Sequence, residues 1–256
     1  MLSKSAQEII QNYLSLPFSN QPGVRCPYFN NRTAKIRGGL NAHIGKGTPA
    51  DIVEEAIIFA LKEKLDLKNF SSGELTKFLV DHRLGVDCSG FVYHVLNAQS
   101  KACGLGSLKK NLKFPFAKNI WRRLLCMLRP MAHAGVSTFA HEHNSKTVDA
   151  SEIKPGDMII LLNADEKHDH NHMLIVTETE KTTNNETKIK YVHSIQYKND
   201  SRYEHGVREG EIIITDSNKN LLEQKFIEEG KENAQNKLFQ YAQTAQKIEI
   251  KRLNKF

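Results

Sequence analysis

The chain has 256 residues, 39% of them hydrophobic and 25% charged, with a net charge of +7. That length suits one large domain or two small ones, and the balance is that of a soluble globular protein. No apolar run reaches the ~18 residues of a membrane-spanning helix, four cysteines make no disulfide framework in so long a chain, and none are paired at C-x-x-C spacing as in a zinc knuckle.

Met1 to Pro17 lacks the continuous apolar core of a signal peptide. The expected compartment is therefore the cytoplasm, with export to the envelope by another route left open. The positive charge is concentrated. Residues 101–130 hold eight of the 36 basic side chains and no acid, and the rest of the chain is close to neutral.

Ala6 to Leu16 has helical apolar spacing and is stopped by Pro17. A proline-containing loop over 20–31 follows, then a glycine-rich stretch from Arg37 to Gly47. That stretch misses the phosphate-loop pattern in spacing and in its last residue, so nucleotide binding is not expected. Thr48 caps the next helix, with Pro49 in its first turn and Ile52, Val53, Ala56, Ile57, Ala60 and Leu61 as its buried stripe. Ser71-x-x-Glu74 forms a capping box for a shorter helix through Leu79.

Val86-Asp87-Cys88-Ser89-Gly90-Phe91-Val92 puts a cysteine at a loop-to-helix junction. Unpaired N–H groups and the positive helix end favour thiolate there, which makes Cys88 a candidate nucleophile. The alternative is a small buried hydrophobe at a helix start.

Phe114 to Leu128 reads as a basic amphipathic helix. The preferred expectation is an inserted helix that packs its apolar side on the body with its charges solvated. The alternative is contact with an anionic polymer or membrane surface through Lys109 to Arg129. No nucleic-acid motif accompanies the segment, so no nucleic acid is expected.

Beyond residue 150 the pattern turns to strands: Met158–Leu162 after the turn Pro155-Gly156-Asp157, then Met173–Val176, Ile189–His193, Glu211–Thr215 and Lys225–Glu228. A polar turn is expected over 182–186. Asn233 to Ala245 looks helical, and Lys247 to Leu253 looks like a final edge strand. Helices first and an antiparallel sheet second make an α+β fold. A cysteine nucleophile needs a base, and two of the eleven histidines are well placed: His172 opens one strand, and His193 ends the next on the face of Ile189 and Tyr191.

In that order, Asp87-Cys88-Ser89-Gly90-Phe91-Val92, Pro155-Gly156-Asp157, His172 and Val192-His193-Ser194 together resemble the NlpC-type cell-wall cysteine peptidases of the papain-like clan. The resemblance implies a papain-like core, a Cys88 helix packed on an antiparallel sheet, over 80–256. The segment 1–79 would be a helical N-terminal extension, and about 101–147 a basic helical insertion. It further implies acyl transfer at peptide or amide bonds of peptidoglycan stem peptides, commonly between D-glutamate and a diamino acid. Cys88 would be nucleophile, His172 base and His193 the orienting residue, with no cofactor or metal. The tyrosine that family members often carry just before the cysteine is not in His82-Arg83-Leu84-Gly85-Val86.

A turn centred on Asn184-Asn185 would set Tyr197 opposite His172, so pairing with His193 needs an earlier turn or a bulge. Gln196 is the reserve for the third role, and His205 and Arg208 are candidate substrate contacts. Two competing readings remain. His168, His170 and His172 alternate and could gather round zinc. Alternatively, the chain could be an inactive module that binds anionic polymer or membrane through its basic segment.

Overall fold

The computed structural model describes residues 1–19, 22–34, 36, 39–182 and 186–256. Parts of the expected proline loop, the glycine-rich stretch and the 182–186 turn lie outside the described residues. The first half is helical: α1 (Lys4–Leu14), α2 (Asn31–Ala34), α3 (Pro49–Glu63), α4 (Ser72–Asp81) and α5 (Cys88–Ala102). Short helices α6 (Leu108–Asn111), α7 (Ile120–Leu128), α8 (Pro130–His133) and α9 (Val136–Ala140) follow. The second half holds strands β1 (Ser145–Thr147), β2 (Met158–Ala164), β3 (His170–Lys181), β4 (Thr187–Ile195), β5 (Gly206–Ile214), β6 (Lys225–Glu228) and β7 (Lys231–Glu232), then α10 (Lys237–Gln243) and β8 (Lys247–Leu253).

Local chemistry sets these boundaries. Thr48 and Asp51 close a capping box at α3, and Ser71 and Glu74 close one at α4. Asp87 caps α5 by accepting from the Gly90 N–H at 2.6 Å. The strands form one sheet in the order β1-β8-β2-β3-β4-β5-β6-β7, with every neighbouring pair antiparallel. Alternation along each strand divides two apolar layers. Met158, Ile160, Met173, Ile175 and Val192 face α1, α3, α4 and α5, while Ile159, Leu161, Leu174, Val176 and Tyr191 face α10. The architecture is α+β with a papain-like arrangement of helix on antiparallel sheet.

Three expectations are corrected. In α3, Ile52, Val53, Ala56 and Ala60 are buried, but Ile57 and Leu61 are exposed, so the stripe is narrower than its spacing indicates. β8 is not an edge strand. It lies between β1 and β2, because the three-residue β1 covers its outer side. The stretch from Phe114 to Leu128 is helical only from Ile120, and its apolar side does not pack on the body. Cys126 is the one buried residue of α7, while Ile120 and Trp121 are about three-quarters exposed. Among the described residues, no helix is long and apolar enough to cross a membrane.

Candidate active site

Cys88 starts α5 at a junction held from several sides. Val86 is bridged by Tyr28 on one side and by Lys46 on the other. Ser194 Oγ on β4 donates to the Val86 carbonyl at 2.7 Å, and the Asp87 N–H donates to the Gly45 carbonyl at 2.9 Å. Gly45 has φ +74°, and a Cβ there would lie 2.2 Å from the Phe29 carbonyl oxygen, so only glycine fits. Under this junction, Lys46 Nζ donates to Asp87 Oδ1 at 2.8 Å and to Ser89 Oγ at 2.6 Å, all three side chains being buried. Lys46, within the glycine-rich stretch that misses the phosphate-loop pattern, is thus an internal partner of the α5 cap.

The thiol of Cys88 is buried. Burial pushes it up to about 12, and the adjacent Asp87 carboxylate pushes in the same direction. Lys46 and the N–H groups of Met173 and Ser89 oppose the rise without cancelling it. This corrects the expectation from the helix terminus alone: the resting group is a thiol. Met173 is the residue after His172, so the sulfur faces the end of β3 that carries His172. Pairing of β3 with β4 runs only as far as Ile175 and Val192. Among the described residues, no hydrogen bond joins Sγ to His172.

His172 and His193 meet because of a bulge. From Lys181 to Glu178 the pairing with β4 keeps one register; at Val176 it has shifted by one residue. A one-residue shift moves a strand's side chains to the other face. Here it puts His172, Leu174 and Val176 on the same face as Tyr191, His193 and Ile195. His172 Nε2 then lies 2.8 Å from His193 Nδ1.

Behind His193 stands a residue that the sequence pattern did not single out. Glu228, on β6, accepts from His193 Nε2–H at 2.8 Å, from the Tyr197 hydroxyl at 2.8 Å and from the Tyr191 hydroxyl at 3.1 Å. Tyr191, Gly210 and Glu228 are in register across β4, β5 and β6. A Cβ on Gly210 would fall 2.2 Å from the Tyr191 hydroxyl, so the bare glycine lets the tyrosine reach over β5 to the carboxylate. Burial pushes Glu228 up, but His193, the Tyr197 hydroxyl and Arg208 together hold it below the ordinary carboxylate value. The available signal was a glutamate two residues after Phe226, on the inward face of a strand.

These contacts fix the tautomers. An ionised carboxylate only accepts, so His193 carries its proton on Nε2. In the neutral ring Nδ1 then accepts from His172 Nε2–H, and the lone pair of His172 sits on Nδ1. Among the described residues that nitrogen makes no hydrogen bond. Burial holds His172 well below the ordinary histidine value, and any positive charge on His193 would push it the same way, so its resting ring is neutral.

The remaining candidates are placed differently. Gln196 is exposed, and the site at His172 Nε2 is filled by His193. His205 is buried, and its Nδ1 accepts from the Tyr28 N–H at 3.1 Å, so it supports Tyr28 from behind. Arg208 is no exposed substrate contact either: its side chain is 2% exposed and donates to Asp200, Glu229 and the Glu204 carbonyl. The three alternating histidines do not converge. His172 is held by His193, His170 by Asp165, and His168 Nδ1 lies 3.0 Å from the Asn163 carbonyl. Asp165 and His168 have positive φ, which breaks the alternation a shared zinc site needs. Among the described residues, Asp165, Asp169 and His170 do gather their ligand atoms, but on the surface, with Asp169 paired to Arg32.

Tyr28 and Tyr241 complete the surroundings. Charge on Cys88 bears on both hydroxyls, which burial already keeps protonated. Asn30 Nδ2 donates to the Tyr28 oxygen at 3.1 Å, and among the described residues the phenolic hydrogen has no acceptor. The Tyr241 ring lies 6.0 Å from that of His172.

A cysteine at a helix start, with a histidine on the adjoining sheet oriented by a second polar side chain, defines the papain-like cysteine hydrolases. The NlpC/P60 family model matches residues 71–229, and the chain belongs to the NlpC/P60 family. Members are generally cysteine peptidases or amidases that act on peptidoglycan. No curated protein and no solved structure matches the chain.

Proposed function

We propose that this chain is a cysteine hydrolase that cleaves peptide or amide bonds in peptidoglycan stem peptides, with Cys88 as nucleophile, His172 as base and His193 as its orienting partner. The observation that carries the reading is the run from Glu228 through His193 to His172, which leaves one lone pair on His172 Nδ1 at the end of the sheet nearest Cys88.

In the forward step the Cys88 sulfur attacks the amide carbonyl carbon while its proton passes to His172 Nδ1. Both groups start neutral, so the transfer accompanies attack. The positive charge that develops on His172 is met through His193 by the Glu228 carboxylate, in a dry site where such charge matters most. The oxyanion is held by N–H groups at the start of α5 and by the Tyr28 hydroxyl. Tyr28 thus supplies from an earlier loop the donor absent from residues 82–86. His172 returns the proton to the departing amine, and the C–N bond breaks. Water, deprotonated by the same nitrogen, then cleaves the thioester and restores the thiol.

The test uses the full chain with a purified stem tetrapeptide containing a D-glutamyl–diamino acid bond. Mass spectrometry should show two fragments that together gain one water, and none with Cys88→Ala. Intact peptide at micromolar enzyme, or equal cleavage by Cys88→Ala, would refute the proposal.

A further inference from the structure

The helix α7 is built inside out. At 100° per residue, Met127, Ile120, Leu124, Leu128, Trp121 and Leu125 span an arc about 160° wide. A surface helix ordinarily turns such an arc inward. Here all six side chains are exposed, from 46% at Leu124 to 75% at Ile120, and the narrow side carrying Cys126 faces the protein.

The charges are arranged to match. Arg122 and Arg123 are exposed and border the apolar arc on its two sides. Lys118 is exposed just before the helix, and no acid lies between residues 101 and 130. Phe116 is 55% exposed beside this patch. Arg129 donates to the Gly39 carbonyl, which ties the end of α7 to the loop carrying Leu40, itself 61% exposed.

We infer that α7 lies in the surface of an anionic lipid bilayer, with Ile120, Trp121 and Leu124 among the acyl chains just below the headgroups and Arg122, Arg123 and Lys118 on headgroup phosphates. Apolar residues between flanking cations match an interface with hydrocarbon below and negative charge at its rim. A soluble polyanion matches only the charges and leaves the apolar face in water. A second copy of this chain would bring eight further cations against the first eight, with no acid in either segment to offset them. The inference does not depend on the hydrolase reading.

Trp121 is the chain's one tryptophan, so its emission reports on this helix alone. The full chain is titrated with phosphatidylglycerol-containing vesicles and with pure phosphatidylcholine vesicles, following emission and flotation together. The expected result is a blue shift and co-flotation with the anionic vesicles only, weakening as salt rises. Arg122→Gln and Arg123→Gln should each weaken binding about fivefold, and Leu124→Glu should abolish it. These side chains are exposed, so circular dichroism and the Cys88 alkylation rate should match wild type. No shift with anionic vesicles at low salt would overturn the inference. So would a shift that appears without lipid as mass doubles, or binding to polyphosphate and vesicles alike with Trp121 emission unchanged.

Discussion

His172 Nε2 lies 2.8 Å from His193 Nδ1, with both rings buried. Neither imidazole defines its own tautomer. The proton positions are set one residue further back, where Glu228 can only accept from His193. The chemistry of His172 Nδ1, at the far end of the run, therefore depends on a carboxylate that lies beyond both rings.

Glu228→Gln tests that dependence. A side-chain amide can donate as well as accept, so the His193 proton is no longer confined to Nε2, and His172 can hold its own on Nδ1. Replacing the orienting carboxylate of a catalytic triad by an amide lowers kcat by about 10⁴. With one more ring between the carboxylate and the base, a loss of about 10²-fold in kcat on the stem peptide is expected, with KM little changed. An unchanged kcat would show that His193 needs no fixed tautomer.

Tyr28→Phe removes one hydroxyl and leaves the ring and the His205 contact with its backbone in place. Loss of an oxyanion donor lowers kcat by about 10²–10³. The expected drop is in kcat, with alkylation of Cys88 unaffected. A change confined to KM would make Tyr28 a ground-state binding residue.

Cys88 should alkylate slowly at neutral pH. Burial and Asp87 raise the thiol to about 12, so its reaction with iodoacetamide, read by peptide mass, should climb from pH 7 to 10 without a plateau. Lys46→Met removes the cation that opposes the rise and should slow alkylation further. A plateau below pH 7 would mean a preformed thiolate–imidazolium pair.

Acidification should destabilise the fold early. His172, His94 and His205 are all held below the usual 6.5, in each case chiefly by burial. Below pH 6.5 the unfolded chain takes up protons that these native rings refuse, so stability falls as pH falls. Each ring contributes a slope of up to about 1.4 kcal/mol per pH unit. Glu228, also held low, adds to the loss only below pH 4.5. Urea midpoints at pH 7.5, 6.5 and 5.5 should decline in that order; constant midpoints would contradict the burial of neutral imidazoles. Activity should also vanish on the acid side at a pH below 6.5, since a protonated His172 cannot act as base.

Much of the site was legible because its signals are local. Asp87 caps its own helix, and His172 and His193 each stand at a strand end marked by apolar neighbours. The α+β division followed from the change of period near residue 150. Less legible were features set by register between distant strands. The bulge that brings His172 and His193 to one face depends on a shift at Val176–Glu178. Glu228 reaches His193 only through the alignment of β4, β5 and β6 over Gly210. Tyr28 and Lys46 lie in irregular segments whose positions come from bridges to Val86. The outward apolar face of α7 runs against the rule that such faces pack inward, so spacing alone pointed it the wrong way.

The most direct test of the central claim is the mass of the Cys88 peptide from protein quenched during turnover. The full chain is mixed with excess stem peptide, quenched in acid within a turnover and digested. The expected result is the acyl portion of the peptide attached as a thioester to the Cys88 fragment, absent in Cys88→Ala and far slower to form in His172→Ala. Turnover with no adduct on Cys88 at any quench time, or an adduct that forms as fast without His172, would contradict nucleophilic catalysis by this cysteine and histidine.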